Sequence, residues 1–153
     1  MKTIFALLAL SLFLSAKASA QPMLRSKEFN LSKNVAIQGY DPVAYFRQNK
    51  AVKGNSDINA TADGVVYYFA SQSNKALFLQ DWKKYEPQYG GWCAYAMGAT
   101  GEKVEIDPET FKISNGKLYL FYHTWVNNTL NKWNKDEANL QAKADANWAK
   151  FFH

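Results

Sequence analysis

Few side chains in this sequence could bind a soft metal ion or act as a nucleophile. Cys93 is the single cysteine, and Met97 follows four residues later in the stretch YGGWCAYAMG. If a helical turn follows the flexible Gly90-Gly91 pair, the two sulfur atoms lie on one face, and His123 could add a third donor. A thiolate and a thioether favour Cu(I) over magnesium or calcium. The spacing therefore predicts a metal site, with copper as the first candidate, at Cys93, Met97 and His123.

Other roles for Cys93 remain open at this point. Free cysteine is among the most often buried residue types, and the apolar string around Cys93 is typical of a core segment. A nucleophilic cysteine would need a base such as His123 and an orienting group, and no family signature accompanies this pair. The glycines match no phosphate-binding loop. The sequence therefore favours a non-catalytic protein and assigns no catalytic residue.

The tyrosine-rich turns indicate an alternative kind of site, which would bind an organic ligand or a protein partner without a metal. Flat aromatic faces are frequent in ligand pockets and interfaces. A structural role competes at the aspartate of the first turn, whose carboxylate can accept hydrogen bonds from turn amides. The candidate ligand-binding residues are Tyr40, Asp41, Tyr45, Tyr89 and Trp92.

The first twenty residues have the pattern of a secretory signal peptide. Met1-Lys2 is a short basic start, Ile4 to Ser15 is almost continuously apolar, and Ala18-Ser19-Ala20 is a small-residue cleavage site. The apolar run is shorter than the roughly 20 residues that span a bilayer as a helix. We therefore expect residues 1–20 to be removed and the mature protein, which begins near Gln21, to be periplasmic or secreted and not membrane-spanning.

Charge and length limit the remaining classes. Without Lys2 and Lys17, the 18 basic residues become 16 against 13 acidic ones, which gives a formal charge of +3. The lysines form no basic stripe along the sequence, so we expect no nucleic-acid partner. The length fits one domain. We predict an extended N-terminal lead-in over residues 21–33 and a single domain over residues 34–153.

Five stretches have strand-like composition. Val35–Ile37 and Val43–Phe46 are short β-prone runs, and the uninterrupted β-branched and aromatic residues of Val65–Phe69 predict a central strand. Thr110–Ser114 and Lys117–Tyr122 alternate apolar and polar residues around Asn115-Gly116, which predicts a hairpin with a type I′ turn. The polar stretch from Asn49 to Asp63 suits a loop whose middle could extend an edge strand.

Two helices complete the prediction. Ser71 or Ser73 can cap a helix over Asn74–Trp82, and Pro87 forbids its continuation. Thr129–Phe152 lacks glycine and proline and repeats apolar residues at helical spacing, which predicts one long C-terminal helix packed on the sheet. The predicted fold class is α+β, a small antiparallel sheet with a hairpin, short helices and a longer C-terminal helix.

Several ordered motifs between Asn34 and Trp148 resemble those of exported proteins that contain a YHS domain. The motifs that carry the resemblance are Gly39-Tyr40-Asp41-Pro42-Val43-Ala44-Tyr45-Phe46, Tyr68-Phe69-Ala70-Ser71 before Asn74-Lys75-Ala76-Leu77-Phe78, Tyr85-Glu86-Pro87-Gln88-Tyr89-Gly90-Gly91-Trp92-Cys93-Ala94, and Gly116-Lys117-Leu118-Tyr119-Leu120.

The resemblance implies a small α+β module and an association with metals, because YHS domains occur alone or attached to copper-transporting ATPases, other heavy-metal proteins and multicomponent oxygenases. Shorter, metal-linked members of the family carry cysteines where this sequence has Ala44, Ala70 and Asn74. Only Cys93, which lies outside that set, could replace the family's thiolate ligands. We therefore expect an exported soft-metal-binding protein or, as the alternative, a non-catalytic binding module that uses the tyrosine-rich turns.

Overall fold

A computed structural model describes residues 20–152 of the chain. The predicted signal peptide therefore lies outside the described residues, apart from its last residue, Ala20. The helices are α1 (20–28), α2 (Pro42–Gln48), α3 (Gln72–Gln80), α4 (Trp82–Tyr85), α5 (Ala94–Ala99), α6 (Thr129–Trp133) and α7 (Glu137–Ala149), with 3-10 turns at Ile37–Gly39, Gln88–Gly91 and Lys150–Phe152.

The main sheet contains four strands in the order β1-β2-β4-β3: β1 (Leu31–Ser32), β2 (Val35–Ala36), β3 (Asn55–Ala62) and β4 (Val65–Phe69). Strand β4 lies inside the sheet, and Val65, Tyr67 and Phe69 are fully buried in the core. The predicted α+β class and the central position of β4 are confirmed. The sheet is mixed rather than wholly antiparallel, because β2 and β4 pair in parallel.

Two smaller ribbons follow in the chain. Strands β5 (Asp107–Ser114) and β6 (Lys117–Phe121) form the predicted hairpin, and both turn residues have positive φ, 50° at Asn115 and 72° at Gly116, as a type I′ turn requires. Strands β7 (His123–Thr124) and β8 (Asn127–Asn128) form a short second hairpin. The polypeptide therefore returns on itself twice before the last two helices begin.

Residues 20–28 are helical, so the predicted extended lead-in is wrong over this segment. The helix forms because its one buried face has partners far away in the chain. Arg25 donates two hydrogen bonds to Glu86, and its guanidinium lies 4.4 Å from the Phe29 ring centroid and 4.9 Å from that of Trp82. On the neighbouring turn, Glu28 pairs with Lys103. Tertiary contacts here decide the conformation of a segment whose local pattern is weak.

The run Val43–Phe46 forms helix α2 and not a β-strand. Pro42 occupies the first turn, where its missing N–H costs nothing, and the Asp41 carboxylate accepts from the backbone N–H groups of Val43 and Ala44. The cap and the proline override the β-propensity of the run. Residues 49–54 then form a loop, and the edge strand predicted for the middle of Asn49–Asp63 extends further as β3, over Asn55–Ala62.

The predicted C-terminal helix is divided into α6 and α7. The Asn128 side chain caps α6, and residues 134–136 form the break, at which the Asn134 N–H bonds back to Leu130 and Lys132. Asparagine and aspartate favour such local hydrogen bonds over helix continuation. The other predicted helix also ends early, because α3 stops at Gln80 and Trp82 begins α4.

Two buried clusters hold the elements together. The first lies between the main sheet, α2 and α3 and includes Tyr67, Phe69 and Phe78. The second lies between β6, α5, α6 and α7 and surrounds the fully buried Trp133. Gly98 allows α5 to approach α7, since a Cβ atom there would lie 2.4 Å from the Leu140 carbonyl oxygen. The second cluster therefore depends on close contact between two helices.

The ion pair that attaches α1 makes stability depend on pH. The hydrogen bond from Lys103 lowers the pKa of Glu28 below 4.5 despite the opposing effect of burial. A lowered folded-state pKa stabilises the fold above the unfolded value and loses this contribution as the pH falls through the folded value. We expect the free energy of unfolding, measured in urea, to fall between about pH 5 and pH 3.

The Glu28→Gln variant isolates this contribution. Burial opposes a lower pKa for Asp107, but hydrogen bonds still lower it, and the Lys112 hydrogen bond lowers that of Glu137, so part of the slope must persist in the variant. If the free energy of unfolding falls with pH as steeply in Glu28→Gln as in the wild type, the contribution assigned to Glu28 is contradicted.

Candidate functional site

Cys93 lies at the junction of three elements and is fully buried. Its sulfur accepts a hydrogen bond from the Tyr122 N–H at 3.3 Å and lies 3.4 Å from the Thr129 hydroxyl oxygen. The Thr129 hydroxyl uses its single hydrogen on the Tyr122 carbonyl, 2.8 Å away. Cys93 must therefore be the donor toward Thr129. Its sulfur is a protonated thiol that donates one hydrogen bond and accepts another.

Met97 lies one helical turn after Cys93, as the spacing predicts, and its N–H bonds to the Cys93 carbonyl at 3.0 Å. The two side chains nevertheless enter different parts of the core. Cys93 belongs to the cluster beneath the main sheet, whereas Met97 is fully buried in the second cluster, with Trp133 and Ala144. The thioether thus has the surroundings of a packing residue.

His123 lies at the surface, at the start of β7. Its Nδ1 is 3.2 Å from Asp107 Oδ2 and 3.1 Å from Thr110 Oγ1, and Thr110 donates to the same carboxylate oxygen. In a Ser-His-Asp arrangement the nucleophile and the carboxylate contact opposite ring nitrogens. Here the hydroxyl and the carboxylate share one nitrogen, so this cluster holds the ring in place and lacks the geometry of a nucleophile and its base.

The three predicted metal ligands do not form a fitting donor set. The Cys93 sulfur already bonds two groups, Met97 is enclosed in another cluster, and His123 is bound to Asp107 at the surface. Across residues 20–152, no group of three or more His, Cys, Asp or Glu side chains is arranged to hold a metal ion. The copper site remains a prediction without geometric support among the described residues.

Among the alternative candidates, Asp41 is used inside the fold. The carboxylate is fully buried and accepts hydrogen bonds from four donors, of which two begin α2, one is the Ala70 N–H at 2.8 Å, and one is the Asn74 amide at 2.7 Å. Asp41 therefore joins the start of α2 to the end of β4 and to α3. These four hydrogen bonds leave no acceptor capacity of the carboxylate for a ligand.

The first turn contributes little to any surface site. Tyr45 is fully buried, and its hydroxyl donates to the Pro108 carbonyl at 2.8 Å; burial foremost raises its pKa far above the usual range. Tyr40 is half-buried beneath Lys53, whose ammonium lies 4.6 Å from the ring centroid. Both rings act as supports for the loop around α2.

The second turn, by contrast, opens onto a cleft. Tyr89 has φ of 56°, and Gly90 and Gly91 also have positive φ, so the chain makes a left-handed turn here. A Cβ atom at Gly90 would lie 2.8 Å from the rings of Phe29 and Trp148, so only glycine fits between them. The neighbouring Trp92 indole donates to the Glu28 carbonyl at 2.7 Å. This turn therefore packs α1 against the end of α7.

The cleft has a volume of about 370 Å³ and lies between α1, the Tyr89 turn and α7. Its walls combine aromatic rings with polar groups held by hydrogen bonds, which is the composition of small-molecule sites. The lining residues that matter for binding are Arg25, Phe29, Glu86, Tyr89, Asp145 and Trp148.

Hydrogen bonds fix the polar groups of this cleft. Arg25 and the Tyr67 hydroxyl both donate to Glu86, so one carboxylate is fully neutralised. Tyr89 donates to Asp145 at 2.9 Å, and burial, followed by this hydrogen bond, raises the pKa of Tyr89 far above the usual range. Asp145 itself is exposed and pairs with no cation within residues 20–152. The cleft therefore has one uncompensated negative charge.

Sequence reasoning selected Tyr89 but missed the other residues of the cleft. Arg25 and Phe29 fall in the segment that was predicted to be extended. Their spacing of four residues, in a stretch rich in good helix formers, was the available signal. Asp145 and Trp148 lie on the predicted C-terminal helix, three residues apart, and only the tertiary structure places them opposite Phe29.

A second, wider depression of about 530 Å³ lies beside the β1–β2 turn. Its lining combines Leu31 and Val35 with polar side chains, one aromatic ring from Tyr68 and the opposite charges of Lys33 and Glu105. It has a single aromatic ring, whereas the cleft at Tyr89 has several, so the aromatic cleft is the better candidate for a ligand that stacks on rings.

No protein-family model, curated protein or solved structure matches this chain. Within the described residues, none of the helices has both the length and the apolar character needed to cross a bilayer.

The role of Asp41 gives a direct test. Replacing Asp41 with alanine leaves four donors without their acceptor, three of them buried, so we expect a loss of about 3 kcal/mol or more in the free energy of unfolding. Asp57→Ala, at an exposed position of β3, is the control and should stay within about 0.5 kcal/mol of wild type. Urea denaturation measures both; near-equal stability of Asp41→Ala and wild type would contradict the structural role.

Proposed function

We propose that this chain is an exported, non-catalytic binding module of YHS type that holds a small organic cation in the cleft at Tyr89. The proposal keeps the alternative that the sequence raised, a ligand site built on a tyrosine-rich turn, and moves it from the first turn to the second. The observation that carries it is the unpaired Asp145 carboxylate beside the Tyr89 and Trp148 rings.

The chemistry of the walls selects the class of ligand. Aromatic faces attract cations, most strongly where the site is partly desolvated, and a nearby carboxylate adds to that attraction. Phe29 and Trp148 already stand at a centroid distance of 5.8 Å with tilted planes, and Trp148 also contacts Phe152. A quaternary or primary ammonium group of modest size fits the cleft of about 370 Å³ beside these rings, with its charge toward Asp145.

The same features argue for binding rather than turnover. Glu86 is held by an arginine and a tyrosine hydroxyl, and Tyr89 keeps its proton, so neither supplies a general base. The Cys93 thiol is enclosed away from the cleft. Copper handling, which the family resemblance implies, would need a donor set that the described residues do not offer, and no observation on those residues favours it as a second function.

A pair of matched probes tests the proposal. Choline carries the quaternary ammonium, and 3,3-dimethyl-1-butanol is its neutral isostere of the same shape. The protein used runs from Ala20 to His153 and contains every helix and strand of the described fold. We expect calorimetry to detect choline binding, and we expect binding to change the tryptophan fluorescence. Asp145→Asn and Trp148→Leu should each weaken choline binding by about fivefold or more.

Asp57→Asn removes a carboxylate outside the cleft and is the matched control for charge, with unchanged choline affinity expected. Circular dichroism confirms that each variant folds. Equal binding of the two probes, or equal choline affinity in wild type, Asp145→Asn and Trp148→Leu, would refute the proposal.

A further inference from the structure

The net positive charge of the described chain comes from the region of helices α2, α3 and α4. Four exposed cations and one half-buried cation lie on these helices or just after them. Two acidic residues lie there as well, Asp81 and Glu86, and Glu86 is paired with Arg25 of α1. We call this surface the cationic face; its basic residues are Arg47, Lys50, Lys75, Lys83 and Lys84.

The three helices form one contiguous layer. The rings of Phe46 on α2 and Tyr85 on α4 meet edge to face at 5.4 Å, and Asn74 on α3 reaches the Asp41 cap of α2. Helix α3 runs directly into α4 and packs against it. Residues that are up to 37 positions apart in the sequence, Arg47 and Lys84, are thus brought into one layer.

Charge counting shows how uneven the distribution is. With Glu86 counted beside its partner Arg25, outside the face, the cationic face carries five positive charges and one negative, a net of +4. The other residues in 20–152 contribute eleven positive and twelve negative charges, a net of −1. None of the five cations has a carboxylate within ion-pair distance in the described part of the chain. The net charge of +3 over residues 20–152 therefore arises from this face.

Apolar side chains are interspersed among these cations. Leu79 on α3 is 57% exposed. Trp82 is half-buried, with the Lys83 ammonium 5.6 Å from its ring, and the Lys84 ammonium lies 5.4 Å from the Tyr85 ring. Long basic side chains around an exposed leucine and a tryptophan are the composition of a surface that rests in the headgroup region of a bilayer.

We propose that the cationic face binds the surface of an anionic lipid bilayer peripherally, with Leu79 and Trp82 at the apolar boundary. Each lysine near an anionic lipid surface adds to the binding free energy, and the exposed leucine adds to it by burying apolar area. A nucleic-acid backbone would make no use of Leu79, so the lipid surface fits the observations better. The cleft at Tyr89 and the cationic face share no residue, and the proposal is independent of the cleft's ligand.

Vesicle co-sedimentation tests the proposal with protein from Ala20 to His153. We expect binding to equimolar phosphatidylglycerol–phosphatidylcholine vesicles, weaker binding as salt increases, and little binding to pure phosphatidylcholine. Replacing both Lys83 and Lys84 with glutamine should lower the partition coefficient about 25-fold, at roughly fivefold per lysine. Leu79→Asn should lower it at constant charge.

The control variant replaces two exposed lysines outside the face, Lys117 and Lys135, with glutamine. It changes the net charge by the same amount and should leave the partition coefficient within about twofold of wild type. Equal losses in the two double variants would mean that net charge alone is sensed and would overturn the proposal. So would absence of binding to the anionic vesicles at low salt, with or without binding to heparin as a soluble polyanion.

Discussion

The enclosed thiol of Cys93 is the constraint on which the surrounding structure depends. Its sulfur accepts from the Tyr122 backbone and donates to Thr129, so one side chain connects the start of α5, the end of β6 and the start of α6. The Cys93 N–H adds a fourth connection, to the Val104 carbonyl at 2.9 Å. Polar groups buried this deeply are costly unless they are paired, and here each has its partner. A bound metal would have to displace these contacts.

The position of Cys93 also determines the shape of the cleft. The left-handed turn at Tyr89 is joined to Cys93 by only Gly90, Gly91 and Trp92. This short segment leaves little conformational freedom between the buried thiol and the aromatic wall of the cleft. The Gly90 carbonyl accepts from the Asn30 N–H at 2.9 Å, which attaches the end of α1 to the same turn. The segment of residues 89–98, whose cysteine suggested metal chemistry, thus acts as a scaffold. The part of it that faces the cleft is Tyr89.

The sequence allowed prediction of those features that arise from local chemistry. Val65–Phe69 and the Asn115-Gly116 hairpin follow from β-propensity and turn preference, and both are confirmed. Helix α2 was not predicted: the run Val43–Phe46 favours a strand by propensity, whereas the Asp41 cap and Pro42 in the first turn favour the helix that forms. Features that depend on distant partners could not be read: the Arg25–Glu86 contact joins residues 61 positions apart, and the cationic face collects lysines that look scattered along the chain.

The accessibility of the single thiol tests this structure most directly. With residues 20–153 in native buffer, a small alkylating reagent should modify Cys93 only as fast as the protein opens, and modification should become rapid in concentrated urea. Mass spectrometry would follow the reaction with time, and addition of Cu(I) should not change the native rate. Rapid modification of the folded protein, or its suppression by Cu(I), would show a reachable sulfur and contradict the scaffold role of Cys93.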